Sequence, residues 1–195
     1  MTESLNSTHS LFDFFLDNVQ NAHDAARVEL TTDTVLYLAS LLTERARTDT
    51  PQLPESTLAE LHGRAAHARP ADRVRTYREL GDRALYRAGF FSESLRSRTV
   101  NENYYSEMGA AAYYQVDQTV KRWFADAFGP VFRELGYQFR ECVLLLTRVR
   151  DKHDLKNPDA IMRLYQQWQI SGNPDLAAEL QHRGLVLSPN PKCTN

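Results

Sequence analysis

Apolar residues recur at steps of three and four along most of this 195-residue chain. The first two series begin with Leu11, Phe14 and Phe15 and with Val35 and Leu38. This spacing places the side chains on one face of an α-helix. No segment shows the two-residue alternation of a half-buried strand or a hairpin between two such strands. The sequence therefore predicts an all-α fold.

Capping residues and prolines predict where several helices begin. Thr57 and Glu60 have the spacing of a capping box, which opens a short helix. A longer helix is expected after Pro70. Pro130 suits the first turn of another helix, and we expect Leu144 to belong to the apolar series that follows it.

The C-terminal third carries two similar helix starts. Residues 157–160 and 173–176 each place Asn at the cap, Pro at the first helical position and Asp in the first turn. Gly172 and Gly184 suit the ends of the two helices that these caps open. We therefore predict a helical hairpin over residues 157–184.

The length and the 42% hydrophobic content are sufficient for one core without disulfides or metal. We predict a single helical domain over residues 1–187, a bundle of seven or eight helices with a central helix near 102–128. Residues 188–195 are expected to form a flexible tail. The two cysteines, Cys142 and Cys193, make no disulfide framework.

No apolar run approaches the roughly 18 residues that a membrane-spanning helix needs. The first residues also lack the basic start and apolar stretch of a secretory signal. We therefore expect a soluble, cytoplasmic protein without a membrane span.

Charge is unevenly distributed along the chain. Residues 1–63 carry ten acids against three arginines, whereas residues 64–98 carry nine arginines against four acids. Such a basic stretch favours an acidic protein partner, although the acidic first third could also neutralise it within one fold. No base-stacking motif or recognised reading module accompanies the arginines, so nucleic acid is not the expected partner. The candidate partner-binding residues are Arg73, Arg75, Arg78, Arg83 and Arg87.

Catalytic motifs are missing from the sequence. There is no nucleophile elbow, phosphate loop or dinucleotide-binding glycine pattern. A di-iron bundle needs two Glu-x-x-His motifs, and only Glu179 with His182 has that spacing. We therefore expect a protein that is not an enzyme and has no metal site or cofactor. Haem held by one axial histidine remains an alternative; the candidates are His9, His23, His62 and His153.

Residues 101–116 place two tyrosine pairs around a run of Gly and Ala. The four tyrosines point to different sides of a helix, which predicts a helix buried on every side. Glu107 lies on the same side as Tyr114 and about one turn from Tyr104. Its carboxylate could be paired in the core, exposed to solvent, or bind a small polar ligand together with Tyr104 and Tyr114.

Residues 78–95, which read RELGDRALYRAGFFSESL, and residues 103–109, which read NYYSEMG, resemble uncharacterised all-helical bacterial proteins. The resemblance covers the middle of the chain, within residues 78–109. It implies a shared helical scaffold in a bacterial protein. It carries no known activity or binding residue.

These patterns together favour a non-enzymatic adaptor or regulatory protein that binds an acidic protein partner through its arginine-rich region. The alternative is a helical bundle, either a binding protein or an enzyme, that binds a small ligand or haem near Glu107, Tyr104 and Tyr114. The wide apolar helix faces are also compatible with a homodimer.

Overall fold

The computed structural model describes residues 11–47, 56–90, 102–123, 129–152, 164–165, 168 and 173–182. These residues form eight helices and no strand, which confirms the predicted all-α fold. The helices are α1 (Leu11–Ala26), α2 (Thr32–Arg47), α3 (Leu58–Ala66), α4 (Pro70–Phe90), α5 (Glu102–Trp123), α6 (Gly129–Tyr137), α7 (Phe139–Lys152) and α8 (Pro174–His182). No helix in these ranges is both long and apolar enough to cross a membrane.

The structure describes only part of the predicted hairpin over residues 157–184. The second helix of this hairpin is α8, and its first helix is represented by helical residues at 164, 165 and 168. The remainder of that first helix, and the predicted tail at 188–195, lie outside the described residues.

Local capping signals act as the sequence predicts. The Thr57 hydroxyl accepts a hydrogen bond from the Glu60 N–H at 3.2 Å, and the Thr57 N–H donates to the Glu60 carboxylate at 2.8 Å. This reciprocal pair opens α3. At α8, the Asn173 side chain accepts from the Asp175 N–H at 2.9 Å. Pro70 stands at the first position of α4, where its missing N–H costs no helical hydrogen bond.

The helices pack around one shared core. α4 and α5 make the most extensive contact, and α5 also packs on α6 and α7. α3 covers α4, α1 lies against α2 and α7, and α2 reaches α6. Each of the eight helices contributes at least one fully buried side chain; examples in chain order are Val19, Leu38, Leu61, Leu80, Tyr113, Leu135, Leu146 and Leu180. Each such side chain contributes about 1.5–3 kcal/mol through removal of apolar surface from water.

Glycines allow α5 to approach its neighbours closely. A Cβ atom on Gly109 would lie 2.9 Å from the Ala84 Cβ and even closer to the Phe139 ring. A Cβ on Gly81 would lie 2.7 Å from the Tyr113 ring. The small residues of the tyrosine segment therefore serve the close packing that the sequence suggests.

Two expectations about burial are wrong. α5 is not buried on every side, because its neighbours α4, α6 and α7 leave a face with Glu107, Ala111 and Tyr114 exposed. Leu144 does not join the core face of α7 and is 57% exposed, whereas its neighbour Leu145 is fully buried. Helical spacing identifies a face, but only the positions of the neighbouring helices decide how much of that face is covered.

Candidate functional site

The three predicted ligand-binding residues lie on α5 at different depths. Glu107 is exposed, so the core-network alternative for its carboxylate is excluded. Tyr114, two turns further along the same side, is 46% exposed. Tyr104 is half-buried and packs edge-to-face on Tyr105, with ring centroids 5.7 Å apart. Ligand binding by these residues stays a prediction.

In the part of the chain that the structure describes, no three His, Cys, Asp or Glu side chains stand close enough together to hold a metal ion. His62, one of the haem candidates, is exposed and packs edge-on against Tyr77 at 5.8 Å between ring centroids. His9 and His153 lie outside the described residues.

Several of the predicted partner-binding arginines are engaged within the fold. The Arg73 guanidinium donates to the backbone oxygens of Ala66 and Ala68 at 3.3 and 3.2 Å, which satisfies carbonyls at the end of α3. The Arg83 guanidinium lies 2.5 Å from the Glu79 carboxylate and 3.2 Å from the Ser56 oxygen. Both arginines are therefore partly committed to structure.

The remaining arginines of this region differ in accessibility. Arg87 is half-buried. Arg75 is 82% exposed and lies 3.8 Å from Asp72, a distance at which a surface ion pair contributes little. Arg64 and Arg69 are exposed and make no ion pair with any described residue. Three exposed arginines, Arg64, Arg69 and Arg75, thus surround the turn between α3 and α4, while the partly exposed Arg78 lies further along α4.

Arg78 belongs to a buried polar network centred on Asp82. The Asp82 side chain is nearly inaccessible, and the hydroxyls of Tyr37 and Tyr113 both donate to its Oδ1 at 2.7 Å. The Arg78 Nε donates to the Tyr37 hydroxyl at 3.1 Å and lies 3.6 Å from the Asp82 Oδ2. Because Gly81 has no Cβ, the Tyr113 ring can lie against α4, and the Tyr113 hydroxyl can reach the carboxylate of Asp82.

The ionisation of this network is governed by burial. Desolvation raises the pKa of Asp82, although the hydrogen bonds from Tyr37 and Tyr113 and the charge of Arg78 oppose the shift. Burial and the neighbouring Asp82 carboxylate raise the pKa of both tyrosines well above the ordinary value. The phenols therefore act as neutral hydrogen-bond donors. Their two hydrogen bonds occupy both acceptor positions of the Asp82 Oδ1, so the network serves to hold α2, α4 and α5 together.

A second buried carboxylate joins α5 to α6. The Asp117 side chain is only 1% exposed, and its Oδ2 lies 2.5 Å from the Lys121 Nζ. Its Oδ1 makes no hydrogen bond with a described residue and lies 3.6 Å from the Arg133 Nε. A Cβ on Gly129, the first residue of α6, would be 3.6 Å from the same oxygen. The carboxylate thus sits at the positive end of the α6 dipole, where negative charge is stabilised.

The carboxylate of Glu134 in α6 caps α2. It accepts from the Thr31 N–H at 3.1 and 3.2 Å, from the Thr31 hydroxyl at 2.5 Å, and from the Thr34 hydroxyl. The Thr31 oxygen also accepts the Val35 N–H at 3.1 Å, which places Thr31 at the cap position. This long-range contact fixes the start of α2 against α6.

Sequence reasoning missed these three carboxylates. From the sequence, Asp82 is interpreted only as one of the four acids within the arginine-rich residues 64–98. It nevertheless follows Gly81 inside a helical apolar series that includes Leu80 and Leu85. An acid in such a position is a signal for a buried, partnered carboxylate. Glu134 has no comparable signal, because its partners precede it by about a hundred residues.

Comparison of the chain with protein-family models, with curated proteins and with solved structures finds no match. The resemblance of residues 78–109 to uncharacterised helical bacterial proteins therefore stays a prediction. The site geometry is the remaining basis for a functional proposal.

Proposed function

We propose that this protein is a non-enzymatic cytoplasmic adaptor or regulator that binds an acidic segment of a protein partner. The binding surface would be the α3–α4 turn surface, defined by Arg64, Arg69 and Arg75. The observation that supports it is the exposure of these three arginines beside arginines that the fold already uses.

Charge complementarity supports an acidic partner at this surface. Arg64 and Arg69 have no counterion among the described residues, and Asp72 lies at the long end of pairing distance from Arg75. Arginine is well suited to such a role, because its planar guanidinium can bind a carboxylate through two parallel hydrogen bonds. A positive surface also accelerates encounter with an acidic partner.

Binding of fluorescently labelled poly-L-glutamate, measured by anisotropy at several salt concentrations, tests this proposal. Reversal of an exposed charge replaces an attraction of about 0.5 kcal/mol with a similar repulsion. The double variant Arg64→Glu/Arg69→Glu should therefore bind more weakly by about 2 kcal/mol, which exceeds a tenfold change in Kd. Circular dichroism would verify that the variant keeps its helical content.

The matched control is Arg27→Glu/Arg122→Glu, which reverses two exposed arginines, one after the end of α1 and one in α5, and changes the net charge equally. Poly-L-glutamate binding should be nearly unchanged in this control. An equal loss in both variants would reduce the effect to net charge and overturn the assignment of the surface. Strong binding of single-stranded DNA without binding of poly-L-glutamate would replace the protein partner with a nucleic acid.

A further inference from the structure

A line of exposed residues follows the outer side of α7. Arg140, Leu144 and Arg148 are spaced by four residues, so they lie along one side of the helix. Tyr137 precedes Arg140 by three residues at the end of α6. The Gln138 N–H donates to Glu134 at 2.8 Å and the Cys142 N–H donates to Gln138 at 3.0 Å, so the chain stays nearly helical across this junction. We name these four residues the Leu144 face.

The apolar members of this face are unusually accessible. Tyr137 is 76% exposed and Leu144 is 57% exposed. Within the described ranges, Tyr114 is the one other large hydrophobic side chain with comparable exposure. A single exposed apolar residue needs no explanation, but two on the same line as two arginines form a surface with interface composition. Tyrosine and arginine are also enriched among residues that dominate binding energy.

The charge of the Leu144 face has no counterion among the described residues. Arg140 and Arg148 form no ion pair with a described residue, whereas the neighbouring Arg150 is buried and paired with Asp151 at 2.8 Å. Arg133, one turn before Tyr137, is occupied with Asp117 at 3.6 Å. The face therefore carries one arginine on each side of Leu144, and neither arginine has a counterion in the part of the chain that the structure describes.

The spacing of Arg140, Leu144 and Arg148 along α7 defines which partner helix would fit this face. At about 1.5 Å of rise per residue, Arg140 and Arg148 stand roughly 12 Å apart along the axis, with Leu144 midway. A second helix with an apolar residue and acids four residues before and after it repeats this spacing with opposite charge. Packed along α7, its acids would meet the arginines while its apolar residue covers Leu144 and Tyr137.

We propose that the Leu144 face binds an acidic amphipathic helix of a protein partner. This surface is separate from the α3–α4 turn surface, and it selects for an apolar anchor in addition to negative charge. Truncation of Leu144 should therefore weaken binding even when every charge is kept. That requirement distinguishes the proposal from general attraction between charged surfaces.

The probe is an alanine-rich helical peptide that carries Glu, Leu and Glu at steps of four. Its affinity for the full chain would be measured by anisotropy, and the contacted residues by the NMR shifts of the Leu144 methyl groups. Leu144→Ser and Arg140→Glu/Arg148→Glu should each raise Kd at least tenfold. Replacing the peptide's leucine with glutamine should have the same effect.

Matched controls test whether peptide binding depends on the Leu144 face. Tyr114→Ser removes an exposed aromatic residue from α5, and Arg27→Glu/Arg122→Glu reverses two exposed arginines outside both proposed surfaces; both should change Kd less than twofold. A loss of binding in Arg64→Glu/Arg69→Glu but not in Leu144→Ser would place the peptide on the α3–α4 turn surface and overturn this proposal. Equal binding by wild type and Leu144→Ser would overturn the proposal, as would equal binding of the leucine and glutamine peptides. A wild-type dimer that Leu144→Ser converts to a monomer, without peptide binding, would assign the face to self-association instead.

Discussion

The hydroxyl of Tyr113 provides a sharp test of the buried network. Tyr113→Phe removes the donor that lies 2.7 Å from the Asp82 Oδ1 while keeping the ring. The ring contacts with Phe132 and Phe139, each at 6.1 Å between centroids, should persist. The substitution therefore isolates one hydrogen bond from the packing around it.

The expected cost follows from burial and charge. A hydrogen bond to a charged group contributes roughly 1.5–3 kcal/mol, and an unsatisfied buried acceptor costs more than an exposed one. Tyr113 is fully buried, so water cannot replace its hydroxyl. We expect Tyr113→Phe to lower the free energy of unfolding by about 2 kcal/mol at neutral pH. Urea unfolding followed by far-UV circular dichroism measures this difference.

Tyr77→Phe is the matched control, since Tyr77 is a buried tyrosine of α4 that makes no hydrogen bond to a described residue. Its cost should stay below about 0.5 kcal/mol, the usual range for a substitution that removes no interaction. Tyr37→Phe removes the other donor to the same oxygen. The double variant should be non-additive by more than about 0.5 kcal/mol, because both hydroxyls share one acceptor. A Tyr113→Phe cost no larger than that of the control would refute the structural role of the network.

Three further predictions concern the same core. Because burial raises the pKa of Asp82, the folded state holds this proton more tightly than the unfolded state. The free energy of unfolding of the wild type should therefore fall relative to that of Asp82→Asn as pH rises. The fall begins near pH 4, at about the ordinary pKa of Asp, and ends above the raised pKa of the folded state. Urea unfolding of both proteins at several pH values measures this difference. Gly109→Ala should destabilise by about 1–3 kcal/mol in chemical unfolding, because a Cβ there collides with Phe139 and Ala84. Glu134→Gln should lower the melting temperature and cost about 1–2 kcal/mol, since it removes the charged cap of α2.

Each of these predictions has a control and a contrary outcome. A constant difference between wild type and Asp82→Asn across the pH range would contradict the raised pKa. Gly63→Ala meets no atom within 4 Å and should stabilise α3 by up to about 1 kcal/mol, so equal costs at both glycines would contradict the packing argument. Glu107→Gln alters an exposed carboxylate and should be nearly neutral. A Glu134→Gln variant as stable as Glu107→Gln would contradict the capping role.

The positions of several helix ends could be predicted because their causes are local. The reciprocal bonds of Thr57 and Glu60 span three residues, and Pro70 acts through its own missing N–H. Such signals depend on the nearby backbone alone. For the same reason, helical spacing was sufficient to predict the all-α class.

The identity of the buried carboxylates depended on tertiary packing. Glu107 and Asp82 both occupy helices rich in apolar residues, yet Glu107 is exposed and Asp82 is enclosed by α2, α4 and α5. A buried carboxylate needs donors, and the donors for Asp82 come from residues 45 positions earlier and 31 positions later. Leu144 shows that an apolar residue can also be misassigned from the sequence. Its spacing suits a core position, but no described helix covers it and its side chain is exposed. The sequence by itself determined helix content and capping, because these are local, whereas burial and accessible charge were decided only when distant helices packed together.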